Sequence, residues 1–134
     1  MKKTNTNISS KQKNVPFPKP NPKWGREEES ESFAQKVRLF RQGRLSEDDF
    51  RRFRLQHGAY GSRLQMNYSM VRIKIPSGEI SPEQLETIAS LSEAFSIGSA
   101  HVSTRQNIQL HWVQLEDVSE VMRGLVEVGL TTRE

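Results

Sequence analysis

Residues 68–78 read Tyr68-Ser69-Met70-Val71-Arg72-Ile73-Lys74-Ile75-Pro76-Ser77-Gly78, and the alternation within them decides the fold. Val71, Ile73 and Ile75 fall on one side of an extended chain and Arg72 and Lys74 on the other, as in a half-buried strand. Pro76-Ser77-Gly78 ends it. Ser81 then offers an N-cap, Pro82 the first helical position and Gln84 a capping-box partner, while Leu85, Ile88, Leu91 and Phe95 supply a helical stripe that Gly98 closes. Two more alternating runs follow. In one, Ala100, Val102 and Thr104 oppose His101, Ser103 and Arg105; in the other, Ile108, Leu110 and Trp112 oppose Asn107, Gln109 and His111, with a tight turn near Arg105 to Asn107 between them. Helical spacing returns over Asp117 to Val128 through Val118, Val121, Met122 and Leu125, and Gly129 sits where a C-terminal glycine belongs. A last strand begins at Leu130 and reaches Glu134 as a stub. The order β-α-β-β-α-β predicts an α+β, ferredoxin-like split βαβ fold with both helices on one sheet face and an incomplete last strand.

Upstream the pattern is thinner. Residues 1–31 hold Pro16, Pro18, Pro20 and Pro22 and few apolar side chains, so they are expected to form a disordered Pro/Lys-rich arm. Its proline spacing suits polyproline II. Residues 32–66 read as a helical and turn lead-in: Phe33, Val37 and Phe40 recur at helical spacing up to Gly43, and Ser46 caps a short helix through Phe50, Phe53 and Leu55. His57-Gly58-Ala59-Tyr60-Gly61 is expected to be a two-glycine turn. The compact unit is then 67–134. Because such a domain normally continues past a stub, the chain is expected to be a fragment, or to need a partner that completes it.

Composition narrows the chemistry. The chain has 134 residues, no Cys and a formal charge of +4. It can supply no disulfide, zinc-thiolate site, cysteine nucleophile or cluster ligand of its own. No apolar run approaches the roughly 18 residues of a membrane span, and the polar stretch Thr4 to Ser10 does not continue Met1-Lys2-Lys3 as a signal peptide, so a cytoplasmic location and no membrane partner are expected. Residues 1–66 carry a net charge of +8 and residues 67–134 a net charge of −4. Yet alternation collects Arg72, Lys74, His101, Ser103, Arg105, Asn107, Gln109 and His111 on the sheet face opposite the helices, with no acid among them. Such a face is either ordinary solvated surface or a seat for carboxylate or phosphate oxygens, which forked guanidinium donors and imidazoles bind. Trp112 is expected under the helices, and Met66 and Met70 as gap-fillers. Gly58-x-x-Gly61 is a turn and only a weak phosphate-cradle signal.

Four segments together resemble a known family: His57-Gly58-Ala59-Tyr60-Gly61; Met70-Val71-Arg72-Ile73-Lys74-Ile75-Pro76-Ser77-Gly78; His101-Val102-Ser103-Thr104-Arg105-Gln106-Asn107-Ile108-Gln109-Leu110-His111; and Val128-Gly129-Leu130-Thr131-Thr132-Arg133. They are similar, in order and over about residues 44–134, to the first ferredoxin-like half-domain of the nitrite and sulfite reductases. That resemblance implies six-electron reduction of nitrite to ammonia or of sulfite to sulfide at a sirohaem coupled to a 4Fe–4S cluster, with ferredoxin or a flavoprotein as electron donor. It also implies that Arg105, Gln109 and His111 lie against the sirohaem and its carboxylates, that Thr104, Gln106 and Asn107 shape that turn, and that Arg72 and Lys74 point toward the bound oxyanion. Alternation does not choose between Arg72 and Lys74 for the direct contact. The cluster cysteines are missing, so the C-terminal remainder of the enzyme or a second chain would have to supply them, and this chain alone is expected to be inactive. The alternatives are a stand-alone ferredoxin-like module that binds RNA or another polyanion, and an inactive truncated product. Nucleic acid is the weaker expectation, because no aromatic side chain is predicted on the polar face.

Overall fold

The computed structural model describes residues 27–61 and 67–134. Helix α1 (Glu27–Arg41) starts ahead of the expected Ser32, with Glu27, Glu28 and Glu29 in its first turn and Arg38 and Arg41 in its last, each sign at the end that the helix dipole favours. The rest of the proline-rich arm, residues 1–26, lies outside the described residues. Helix α2 (Glu47–Gln56) is capped by Ser46, whose hydroxyl accepts from the Asp49 amide at 3.2 Å. Strand β1 (Ala59–Gly61), strand β2 (Tyr68–Lys74), helix α3 (Pro82–Phe95), strand β3 (His101–Val102), strand β4 (Asn107–Gln114) and helix α4 (Val118–Glu127) complete the order, with 3₁₀ turns at Pro76–Gly78 and Leu115–Asp117. The capping box at α3 forms as predicted. Gln84 N–H donates to Ser81 Oγ at 3.1 Å and Ser81 N–H to Gln84 Oε1 at 3.0 Å, and the Gln84 amide also reaches the Val128 carbonyl beyond α4.

The sheet is antiparallel throughout, in the order β1-β2-β4-β3. Its helix-facing side carries Val71, Ile73, Ile108, Leu110 and Val113, which join Ile88, Val118, Val121 and Leu125 in one core. The lead-in belongs to that core: Phe33, Val37 and Phe50 are buried in it, and α1 packs along α4. Phe33 meets Phe53 at 5.6 Å between ring centroids, and Phe40 stacks on Phe50 at 4.4 Å.

Four readings of the sequence are corrected. The expected turn at His57–Gly61 is a turn only at its start; Ala59–Gly61 pair with Ser69–Val71 as β1. That pairing needs Gly58, which adopts φ +70° and whose missing Cβ would lie 2.1 Å from the Thr132 carbonyl oxygen. The last strand is the stub expected, a single antiparallel bridge of Thr131 with Lys74. Arg72 and Lys74 send their amides to the same edge, to Gly58 O and Thr131 O at 2.9 Å each, so β1 and the Thr131 segment share it end to end. Leu85 is 52% exposed, so Ile88 and Ser92 carry the buried line of α3. Val102 is 72% exposed, because β3 is a two-residue edge strand that the helices do not cover.

The fourth correction is Trp112, which lies outward at 46% exposure. Opposite Ser69 and Val71 stand Val113 and Leu110, so β4 spends one residue more than β2 there, and Trp112 takes φ +60°. This β-bulge reverses the parity of the strand. Ile108 and Leu110 face the core before it, Val113 and Leu115 after it, and the Ser96 hydroxyl donates to the His111 carbonyl at the bulge.

Candidate functional site

The open sheet face is built from alternate residues of each strand. Strand β2 contributes Tyr68, Met70, Arg72 and Lys74, and β1 sets Tyr60 opposite Met70. Met70 is thus a half-buried residue of this face, and Met66 lies outside the described residues. From β4 come Gln109 and His111, and from β3 comes His101, opposite Gln109 with its ring centroid 6.2 Å from that of His111. The face therefore brings together Arg72, Lys74, Gln109 and His111 of the expected set. Thr104 and Arg105 are exposed at the β3–β4 hairpin.

Two expected residues sit differently. Asn107 is buried, 3% exposed, and its Oδ1 accepts from Ser103 Oγ at 2.8 Å, which closes the base of the hairpin. Gln106 takes φ 56° and lies against Gly78, where a Cβ would come within 3.1 Å of its side chain. Both residues hold the hairpin, and Arg105 is the cation it presents.

The electrostatic centre of the face is a carboxylate absent from the sequence reading. Glu134 accepts from Lys74 Nζ on Oε2 at 2.6 Å and from the Tyr60 hydroxyl on Oε1 at 2.7 Å, with Arg72 Nη1 3.8 Å from Oε1. The Arg72 guanidinium lies over the Tyr60 ring, 4.7 Å from its centroid, and donates to the Tyr60 oxygen at 3.3 Å. Among the described residues, Arg72 Nε is buried with no hydrogen-bond partner. Burial, then the hydrogen bond to Glu134, push the Tyr60 phenol above its ordinary value, against weaker opposition from Arg72 and Arg105. For Glu134, burial acts to raise the carboxyl, but the hydrogen bonds from Lys74 and Tyr60 and the charges of Lys74 and Arg72 together hold it below the usual range.

A folded-state value below the unfolded one means that Glu134 stabilises the fold at pH above the unfolded carboxyl value of about 4.3, and that this contribution is lost as pH falls through its lowered folded value. Glu116, which the Arg41 hydrogen bond at 2.6 Å lowers in the same way, shares that window. Thermal melts between pH 7 and pH 2.5 are expected to show an acid decline that is shallower in Glu134→Gln. An unchanged decline would show that the contact contributes nothing in solution.

Tyr60, Tyr68, Trp112 and Glu134 were not legible as site residues. Tyr68 and Trp112 pair edge to face at 5.9 Å on the same open side. One signal for Trp112 exists in the sequence: Ile108 and Leu110 share a parity that Val113 and Leu115 break, which marks a bulge between them.

The nitrite/sulfite reductase ferredoxin-like half domain is the family whose model matches residues 62–128, half of the chain. The chain belongs to this family. Over 72 residues it is 39% identical to a ferredoxin sulfite reductase of Mycobacterium tuberculosis, covering 54% of this chain and 13% of that protein. Over 64 residues it is 45% identical to a chloroplastic ferredoxin–nitrite reductase of Zea mays, covering 47% of this chain and 11% of that protein. The half-domain chain thus spans about one eighth of the relatives it matches. The solved structure of the M. tuberculosis NirA protein superposes with a TM-score of 0.60 at 24% identity, over 87% of this chain and 26% of that one, which establishes the shared fold.

Proposed function

We propose that this half-domain forms one cationic wall of a sirohaem pocket in a nitrite or sulfite reductase. The observation that carries the reading is the convergence of Lys74, Tyr60 and Arg72 on one carboxylate, with Arg72 Nε still buried and unpaired among the described residues. A face that already holds a carboxylate and keeps a donor in reserve fits a tetrapyrrole with many carboxylates and a small oxyanion beside it. When bound, sirohaem would supply the electron path to the nitrogen or sulfur being reduced. Arg105, Gln109 and His111 would hold its carboxylates and ring edge, with Thr104, Gln106 and Asn107 setting the hairpin. Arg72 and Lys74 would bind the oxyanion and stabilise negative charge as its N–O or S–O bonds break.

With no Cys in the chain, the cluster ligands would come from the remainder of the enzyme or from a second chain, and ferredoxin or a flavoprotein would deliver electrons. Alone, the chain would bind without turning over. Titrating the 134-residue chain with sirohaem, followed by absorbance, is expected to show saturable binding that weakens at least tenfold in Arg105→Ala/Gln109→Ala. Equal binding by the double variant would overturn the assignment of this face.

One observation favours a second reading. The sheet exposes Trp112 beside Tyr68, so the face does carry an aromatic platform of the kind on which single-stranded RNA stacks. The platform stands at the Tyr68 end of β2 and the cations at the Lys74 end. An affinity for single-stranded RNA that falls steeply with salt would move the conclusion to that reading.

A further inference from the structure

We infer that Glu134 is the resting ligand of the Arg72 and Lys74 cations, a built-in competitor that an incoming oxyanion must displace. This rests on the reading of the face as an anion site and concerns how that site is occupied. Both carboxylate oxygens are engaged, Oε2 by Lys74 and Oε1 by Tyr60, with Arg72 beside Oε1. A second anion placed against the same two cations would therefore meet the Glu134 charge directly, and like charges sharing one site disfavour each other strongly.

The main chain holds Glu134 where it is. Its amide donates to the Gln56 carbonyl at 3.0 Å at the end of α2, and Arg133 is tied to Glu29 of α1 at 2.7 Å. Thr131 is bridged to Lys74 itself. The side chain, in contrast, is one-third exposed, as is that of Lys74. Water and small ions reach the contact, and a rotation within the side chain releases it without unfolding the bridge. Among the described residues, the charged and titratable groups facing Glu134 are Arg72 and Lys74 from β2 and Tyr60 from β1, with the Arg105 charge felt at Tyr60 from the hairpin. Among the described residues, each side chain that meets the Glu134 carboxylate is a cation or a hydroxyl donor, so releasing it leaves a site that lacks its anion.

The test is a calorimetric titration of the full chain with inorganic sulfite, and separately with nitrite, in the wild type, Glu134→Gln and Arg72→Ala. Glu134→Gln keeps the length and one acceptor oxygen, and its melt at neutral pH verifies folding. Sulfite is expected to bind Glu134→Gln up to about fivefold more tightly than the wild type, on the order of one released ion pair of this exposure. Unchanged or weaker binding in Glu134→Gln, with binding in the wild type that Arg72→Ala removes, overturns the competitor and leaves the anion site standing. Absence of binding in all three overturns both.

Discussion

Phe33→Ala is expected to lower the unfolding free energy by about 3–5 kcal/mol, the cost of an emptied aromatic site in a close-packed core. Phe33 is fully buried and contacts Phe50, Phe53 and the His57 ring from α1. That cluster supports the start of β1, because His57 and Gly58 follow α2 directly and Gly58 is seated under the Thr132 carbonyl. A cavity there weakens the lead-in and the sheet edge together. Urea unfolding followed by far-UV circular dichroism is expected to give one transition with a lower midpoint and an unchanged slope. Loss of the α1 signal alone, with amide-exchange protection of β2 and β4 intact, would instead show that the lead-in folds apart from the half-domain.

Much of the fold was legible because local chemistry and tertiary structure agree in its centre. The alternation from Tyr68 to Ile75 holds because β2 lies between two neighbours, with one face under helices and the other open. Ser81, Pro82 and Gln84 specify their capping box from sequence alone, since every partner lies within one turn. The edges were not legible. Strand β1 has three residues, too few for periodicity, and it exists through its pairing with β2 and through a glycine that admits a carbonyl at close range. Val102 and Leu85 read as core because alternation and helical spacing report a side of an element, and neither reports whether anything covers that side.

The face shows the same division. Arg72, Lys74, Gln109 and His111 could be assembled from parity because regular pairing joins β2 to β4 from Val71 to Lys74. Trp112 could not, since one extra residue at the bulge reverses parity beyond His111. Glu134 could not either: it is far from the face in sequence and reaches it through the bridge at Thr131, which no local pattern announces. The sequence reading thus described a cationic surface, whereas the folded molecule presents two cations and a phenol already sharing a carboxylate.

That arrangement separates the two cations whose parity is the same. Lys74 is engaged at 2.6 Å by Glu134, and Arg72 stands at 3.8 Å with a buried Nε that has no partner among the described residues. An oxyanion that reaches this donor, once the guanidinium turns to uncover it, recovers a hydrogen bond to a charged group, worth about 1.5–3 kcal/mol, whereas at Lys74 it exchanges one carboxylate for another anion. Arg72→Ala is therefore expected to weaken sulfite binding by roughly 10- to 100-fold, and Lys74→Ala by less. Arg72→Lys separates charge from geometry. It keeps the cation but loses the planar fork and the stacking over Tyr60, so it is expected to resemble Arg72→Ala more than the wild type. If Arg72→Lys binds sulfite as the wild type does, the face acts through net charge alone and the orphan donor has no part in recognition. If Lys74→Ala is the more damaging change, Lys74 makes the primary contact and Arg72 serves to hold Tyr60 in place.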